Sequence, residues 1–305
     1  MVNVLVTGGA GFIGSHTVDI LKERGYDVSV LDNLSSGKRD NLKKEVKFFP
    51  LDITGNIDSV FKETKPERVL HLAAQASVVK SVKDPMFNAK VNVLGTLNIL
   101  EACRKHDVRR IVFASTGGAL YGNPSKIPVP EDYPIKPISP YGISKYEAEL
   151  YIQHYGEIYG IEWVNLRYGN VYGPRQDPYG EAGVIAIFAN KMLKGERPII
   201  YGDGEQTRDF VYVTDVARAN LIATESKFKN DCFNIGTGKE VSVNKVFSIL
   251  KDMIGYEGDA IYAEERPGEV RRIVLDCKKA EEKLGWRAEV DLEEGIRKFV
   301  DFLRK

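Results

Sequence analysis

The chain has 305 residues, of which 43% are hydrophobic and 28% charged, and 43 basic residues balance 43 acidic ones to a formal net charge of zero. That length suits one large α/β unit with a smaller companion lobe, and the charge balance excludes the broad positive field that nucleic-acid and anionic-membrane binders use. No apolar run is long enough to span a bilayer, and Met1 leads straight into the apolar run from Val2 to Val6, so a soluble, cytoplasmic protein is expected.

Short β-branched runs alternate with amphipathic stretches in chain order: VNVLVT, then a helix over 12–24; DVSVLD, then a loop; VKFFPLD, then a helix over 56–64; RVLHLAA, then a helix over 85–106; RIVFAST, then a helix over 140–159; and EWVNLRY. This rhythm predicts parallel strands with crossover helices. Continuous apolar strands such as RIVFA imply burial on both faces. The expected fold is α/β, a doubly wound parallel Rossmann-type sheet over 1–168, with a smaller mixed α/β substrate-binding lobe over 169–305. Beyond Tyr168 the chain turns rich in Gly, Pro and charge, in GNVYGPRQDPYGEAG and YGDGEQTRD. DFVYVTDVARANLIATES then reads as strand and helix, with Thr214 as the N-cap, so 207–235 is expected to return to the first lobe.

Cys103, Cys232 and Cys277 are odd in number, far apart and free of C-x-x-C spacing, which fits reduced core thiols. The four histidines are scattered, and His71 within VLHLAA reads as a hydrogen-bonded core residue. No metal constellation is expected.

In TGGAGFIG, Gly8, Gly11 and Gly14 recur at three-residue intervals between a strand and a helix. Glycines there permit a tight turn and close backbone approach to a pyrophosphate, and the helix N-terminus offers free N–H groups. Asp32, ending the next strand, has the chemistry to accept from both ribose hydroxyls and to repel a 2′-phosphate; no arginine directly follows it, so NAD is favoured over NADP. Asp52 and Ile53 end the third strand, where an adenine edge would be met; the competing reading of Asp52 is a helix cap.

SPYGISK places Tyr141 and Lys145 four apart, on one face of a helix start. A fixed ammonium beside a phenol, whose ordinary pKa is near ~10, favours the phenolate. Tyr141 is thereby a candidate general base for a sugar hydroxyl, with Lys145 also placed to hold the nicotinamide ribose.

TGGxGxIG, HLAA, FAST and YGISK together resemble the extended short-chain dehydrogenase/reductase family over essentially the whole chain. LRYGNVYGP, GDGEQTRDFVYVTDVA and RPGEVRR resemble its nucleotide-sugar branch, most closely the UDP-glucose 4-epimerases. The resemblance implies a UDP-sugar substrate, no nucleic-acid or membrane partner, and a homodimer. It implies cofactor contacts from Phe12, Ile13, Asn33, Ser36, Gly37, Leu72, Ala73 and Ala74, with Asn92 buttressing the nicotinamide region and Tyr168 near the nicotinamide. It gives Tyr141 a hydroxyl partner in Ser115 or Thr116, and it carries Thr116, Asn170, Tyr201, Arg208, Arg266 and Glu269 to the UDP-sugar site. The arginines agree with bidentate recognition of diphosphate oxygens.

Two departures stand out. Thr116, Gly117 and Gly118 replace the usual serine and shorter link, which leaves the choice between Ser115 and Thr116 open. Ile273 takes the place of an aromatic gate, which leaves N-acetylated sugars open as substrates. Related 4,6-dehydratases carry an Asp-Glu pair where this chain has STGGALYG, and decarboxylases a nearby glutamate. Without a second acid/base the enzyme returns the hydride it has taken, so epimerisation is expected over either of those reactions. A non-catalytic NAD-binding module is the remaining reading, against which the retained Tyr141, Lys145 and hydroxyl partner speak.

Overall fold

Strands whose successive side chains are all apolar form when both sheet faces are covered, and this chain supplies several. The computed structural model describes residues 2–179, 183–265 and 270–305. In chain order it contains β1 (Asn3–Thr7), α1 (Phe12–Glu23), β2 (Asp27–Leu31), β3 (Lys47–Phe49), α2 (Asp58–Thr64), β4 (Arg68–His71), α3 (Val78–Lys83), α4 (Pro85–Ala89), a π turn (Lys90–Leu94), α5 (Gly95–Lys105), β5 (Arg110–Thr116), α6 (Gly117–Leu120), α7 (Pro140–Tyr159) and β6 (Glu162–Tyr168). There follow β7 (Asn170–Tyr172), α8 (Val184–Leu193), β8 (Ile199–Tyr201), β9 (Thr207–Arg208), β10 (Phe210–Tyr212), α9 (Val213–Glu225), β11 (Asp231–Ile235), β12 (Val241–Ser242), α10 (Val243–Ile254), β13 (Ile261–Ala263) and α11 (Leu292–Leu303).

Seven strands form one sheet in the order β11-β6-β5-β4-β1-β2-β3, every pair parallel. In β1, Val4 and Val6 face a core shared with Val18 of α1 and Ala219 of α9. Leu5 faces the opposite core, with Phe61 of α2, Ile99 of α5 and Ile152 of α7. The order reverses between β1 and β4, and an open sheet leaves its ligand crevice at such a point.

β10, α9 and β11 bring the chain back to the sheet: α9 packs on α1, and β11 pairs with β6 with Ile235 beside Tyr168. The other late elements build a separate core, in which Phe188 of α8, Leu250 of α10 and Phe299 of α11 are buried together. The pairs β8/β13 and β9/β12 lie beside it.

Three local expectations need correction. Helix 85–106 is interrupted by the π turn at Lys90–Leu94, and α3 precedes it, capped by Ser77. Thr214 is inside α9 rather than capping it, because the helix starts directly after Tyr212 of β10. Asp52 caps no helix either: α2 starts at Asp58 after Ile57.

The start of α7 is set by sequence. Ser139 accepts from the Gly142 amide at 3.2 Å, and Pro140 occupies the first turn, where its missing N–H costs nothing. A Cβ on Gly142 would stand 2.6 Å from the Ala119 carbonyl oxygen, so the helix presses its first turn against the segment after β5. Gly142→Ala should therefore destabilise the fold by about 1–3 kcal/mol, seen as a lower midpoint of thermal unfolding. An unchanged midpoint would show that this close approach is dispensable.

Candidate active site

The turn after β1 is built for close approach. Gly8 has φ +69°, and a Cβ on it would lie 2.6 Å from the Ala73 nitrogen; one on Gly14 would lie 2.1 Å from the Gly8 oxygen. The turn is closed by a bond from the Gly11 amide to the Gly8 carbonyl at 3.1 Å. α1 then opens at Phe12 and Ile13 with no side-chain cap, leaving its first amides to an anion. The turn lies against the exit of β4, at Leu72 and Ala73.

Asp32 ends β2 almost buried. One carboxylate oxygen accepts from the Ala10 amide at 3.0 Å and the other from Leu34 at 2.8 Å. Burial nevertheless raises its pKa above the usual carboxylate value, against the pull of these amides. Each oxygen retains a lone pair for a ribose hydroxyl. Asn33 donates to Asp52 at 2.7 Å, and Asp52 also holds the Thr54 amide and hydroxyl at 2.8 and 2.7 Å. Ile53 is buried, Ser36 is exposed, and Gly37 is pressed on Ala10, where a Cβ would meet the carbonyl carbon at 2.8 Å. These residues thus line one rim beside the glycine turn.

On α7, Tyr141, Lys145 and Glu149 form one stripe at four-residue spacing. The Tyr141 amide donates to Ser81 Oγ at 3.1 Å. Lys145 is 3% exposed; its Nζ donates to the Ala114 carbonyl at 2.7 Å and lies 4.5 Å from the Phe113 ring centroid. Burial lowers the Lys145 pKa to about 7, with Glu149 opposing the fall. Alternation along β5 turns Ser115 toward α7, where its hydroxyl donates to Glu149 at 2.5 Å. Thr116 faces the other way: a Cβ on Gly118 would stand 3.9 Å from Thr116 Oγ1 and 3.5 Å from Asn170 Oδ1. Thr116 and Asn170 therefore border one small space.

The segment beside the glycine turn is held by a directional relay. Thr96 Oγ1 donates to the Asn92 carbonyl at 2.6 Å, so it accepts from His71 Nε2 at 2.9 Å. His71 Nδ1 must then accept from Thr7 Oγ1 at 2.7 Å, and Thr7 Oγ1 accepts from the Ala73 amide at 3.3 Å. One neutral tautomer satisfies every member. Asn92, carried on the π turn, donates to Ser144 of α7 and the Gln75 carbonyl, both at 3.0 Å, and accepts from the Gln75 amide at 2.8 Å. Tyr168 is buried, its hydroxyl donating to Asn220 at 2.6 Å, so its ring and main chain alone can meet a cofactor.

On the second lobe, the Arg208 guanidinium donates to the Thr207 carbonyl at 2.8 Å, and the Tyr201 carbonyl accepts from Gln206 at 2.9 Å. Sequence reasoning missed Asp209, a buried carboxylate accepting from the Thr237 amide and hydroxyl, both at 2.7 Å, from Gly238 at 3.0 Å and from Leu275 at 3.2 Å. Its own carbonyl takes the Asn170 amide at 2.7 Å, so one residue ties Asn170 and Arg208 to the chain near Leu275. Arg266 and Glu269 lie outside the described residues. Ile273, expected in the place of an aromatic gate, is buried with Tyr121, Val129 and Leu275. Among the described residues no cluster of metal-ligating side chains and no membrane-spanning helix occurs.

Burial lowers the His71 pKa from 6.5 to about 3, with the Lys145 charge contributing in the same direction. The unfolded chain therefore binds the extra proton first, and stability should fall as pH drops below about 6.5, by up to about 1.4 kcal/mol per pH unit. Denaturant titrations across pH 4–7 should show a slope shallower by about one proton in His71→Gln. An identical slope in the variant would mean that His71 is charged in the folded protein.

Comparison with known proteins places this geometry. Residues 5–299 match the family model for GDP-mannose 4,6 dehydratase. The chain is 52% identical, with a TM-score of 0.97, to a Thermotoga maritima UDP-glucose 4-epimerase solved with UDP-glucose, covering 99% of this chain and 98% of that one. A Thermus thermophilus UDP-glucose 4-epimerase in complex with NAD is 48% identical with a TM-score of 0.95, over 99% and 98% of the two chains. A UDP-N-acetylglucosamine 4-epimerase from Methanobrevibacter ruminantium, in complex with UDP-N-acetylmuramic acid, is 37% identical with a TM-score of 0.93 over the same shares. The seven-stranded parallel sheet is thus shared in full-length solved structures, and the chain belongs to the GDP-mannose 4,6 dehydratase family of extended short-chain dehydrogenases/reductases.

Proposed function

We propose that the protein is an NAD-dependent nucleotide-sugar 4-epimerase that interconverts UDP-glucose and UDP-galactose. The observation that carries this reading is the pairing of the Tyr141–Lys145 stripe with a bare Gly118, whose side chain would otherwise project beside Thr116 and Asn170 where another acid/base group could stand. The glycine turn fits a dinucleotide, since packing too tight for a Cβ at Gly8 and Gly14 sets the turn directly before the uncapped first amides of α1. Gly8, Gly11, Gly14 and the first amides of α1 hold the pyrophosphate, Asp32 the adenosine ribose, and Lys145 and Asn92 the nicotinamide side. Bound NAD supplies a reversible hydride acceptor.

The residues of this chain handle the proton and the anchoring. Tyr141, kept ionised by the nearby ammonium, takes the proton of the sugar 4′-hydroxyl and later returns it. Ser115 spends its hydroxyl on Glu149, which supports Thr116 as the hydroxyl that steadies the reacting oxygen. Arg208 holds the diphosphate from one side, with Arg266 assigned the same task. Inversion requires the 4-keto sugar to turn over while the diphosphate stays fixed, and the bare backbone at Gly118 leaves space for that turn.

A second reading is favoured by two observations. Ile273 is aliphatic where an aromatic gate is expected, and the 37%-identical Methanobrevibacter ruminantium relative is a UDP-N-acetylglucosamine 4-epimerase, so UDP-N-acetylglucosamine and its 4-epimer are the alternative pair. Assaying purified protein with UDP-galactose and with its N-acetylated counterpart separates the two. UDP-galactose should yield UDP-glucose without added NAD, and a 4-keto-6-deoxy product would contradict the reaction class. Tyr141→Phe should lower turnover by about 10²–10⁴ while NAD remains bound; unimpaired turnover would remove Tyr141 from the chemistry.

The protein is further proposed to act as a homodimer. Met86 is 80% and Val82 63% exposed, and Phe87, Leu150, Tyr151 and Ile158 are also exposed on α4 and α7. α3, α4 and α7 pack together, so these side chains share one apolar face, a kind monomers rarely leave open. Light scattering should give twice the 34.1 kDa chain mass, reduced to one chain in Met86→Lys/Leu150→Lys. A monomeric wild-type protein would contradict the assignment.

A further inference from the structure

One fully buried carboxylate takes no part in the proton transfer proposed above. Glu149 is 0% exposed, yet two side chains converge on it through three hydrogen bonds. Arg167 donates through Nε at 3.0 Å and Nη2 at 2.7 Å, and Ser115 donates at 2.5 Å. A buried carboxylate with this many donors costs considerable desolvation, and its pair with Arg167 is no evidence of stability in itself.

The position of Glu149 suggests what it does. It follows Lys145 by one helical turn, and Lys145 follows Tyr141 by another, so the three share one stripe of α7. Two successive residues of β5 take the last two: the Ala114 carbonyl accepts from Lys145 and the Ser115 hydroxyl donates to Glu149. Ser115 and Arg167 are partners in the β5/β6 register, so the carboxylate joins the helix to both strands directly beneath Thr116. The ammonium above it is nearly sealed from water; the Ala114 carbonyl and the Phe113 ring lie against it.

We propose that Glu149 is a positioning residue for the proton transfer at Tyr141: its carboxylate keeps the buried Lys145 ammonium charged and clamped to β5, where it acts on the phenol. The charged and titratable groups facing Lys145 are few. Tyr141 and Glu149 come from its own helix, His71 from β4, and Arg167 from β6 behind the carboxylate. His71 is neutral, because its two ring nitrogens are committed to Thr7 and Thr96. Among the described residues, Glu149 is therefore the carboxylate that counters the burial of the ammonium. A purely structural carboxylate would leave the Lys145 ionisation untouched.

The proposal rests on the reading of Tyr141 as the acid/base group, but its test needs no substrate. The Lys145 ionisation midpoint is read by ¹³Cε NMR titration of the purified NAD-containing protein, the resonance being assigned by its loss in Lys145→Met. In Glu149→Gln the midpoint should fall by about one pH unit or more, a tenfold change in the ionisation constant. That variant strands the Arg167 cation in the core and risks misfolding, so Glu149→Gln/Arg167→Met, which removes both charges, is measured beside it. A smaller fall in the same direction is expected there. With UDP-galactose, the folded variant should lose kcat with KM nearly unchanged, its alkaline limb moving to lower pH. A folded variant whose Lys145 midpoint equals that of the wild type overturns the proposal. Because the titration is independent of turnover, a wild-type protein inactive on UDP-galactose would refute the functional reading and leave this result standing.

Discussion

A lysine ammonium held in a dry interior, one helical turn from a tyrosine, is the interaction on which the site depends. Charge in low dielectric is costly unless it is held by hydrogen bonds and opposite charge. Lys145 meets that cost through the Ala114 carbonyl, the Phe113 ring and the carboxylate one turn further on. Everything that fixes α7 against β5 therefore bears on the chemistry: the Ser139 cap, the bare Gly142 beside Ala119, and Asn92 reaching Ser144. The same ammonium is felt by His71, whose neutral tautomer links β1, β4 and the π turn.

The site divides into a rigid part and an open part. The dinucleotide cradle is closed by backbone contacts too tight for side chains, and the segment bearing Arg208 is tied through the four donors on Asp209. Between them, around Thr116, Gly118 and Asn170, the backbone carries few side chains. Firm anchoring at the ends with room in the middle is what a reaction needs if its product differs from its substrate only in the face presented to one ring.

What could be read from the sequence was local or periodic. Strand runs such as RIVFAST, the glycine spacing and the Tyr141–Lys145 interval each encode their geometry within a few residues, and the sheet order bears out the parallel fold. Features set by tertiary packing were hidden. Glu149 is 18 residues from Arg167 and 34 from Ser115, and on its own it looks like an ordinary helical glutamate. Asp209 draws its donors from two distant segments. The π turn at Lys90–Leu94 leaves no compositional mark, because one inserted residue changes the helix period without changing its residue types. The burial of Ile273 in RRIVLD beside Tyr121 and Val129 is set by packing that no local pattern connects to it.

The central claim is that the Lys145 charge sets the ionisation of the Tyr141 phenol. Its most direct measurement is the ¹³Cζ NMR titration of Tyr141 in the wild-type protein and in Lys145→Met. A wild-type midpoint well below the ordinary phenol value of ~10 is expected, with a rise of more than about one pH unit when the ammonium is removed. The same midpoint in both proteins would contradict it.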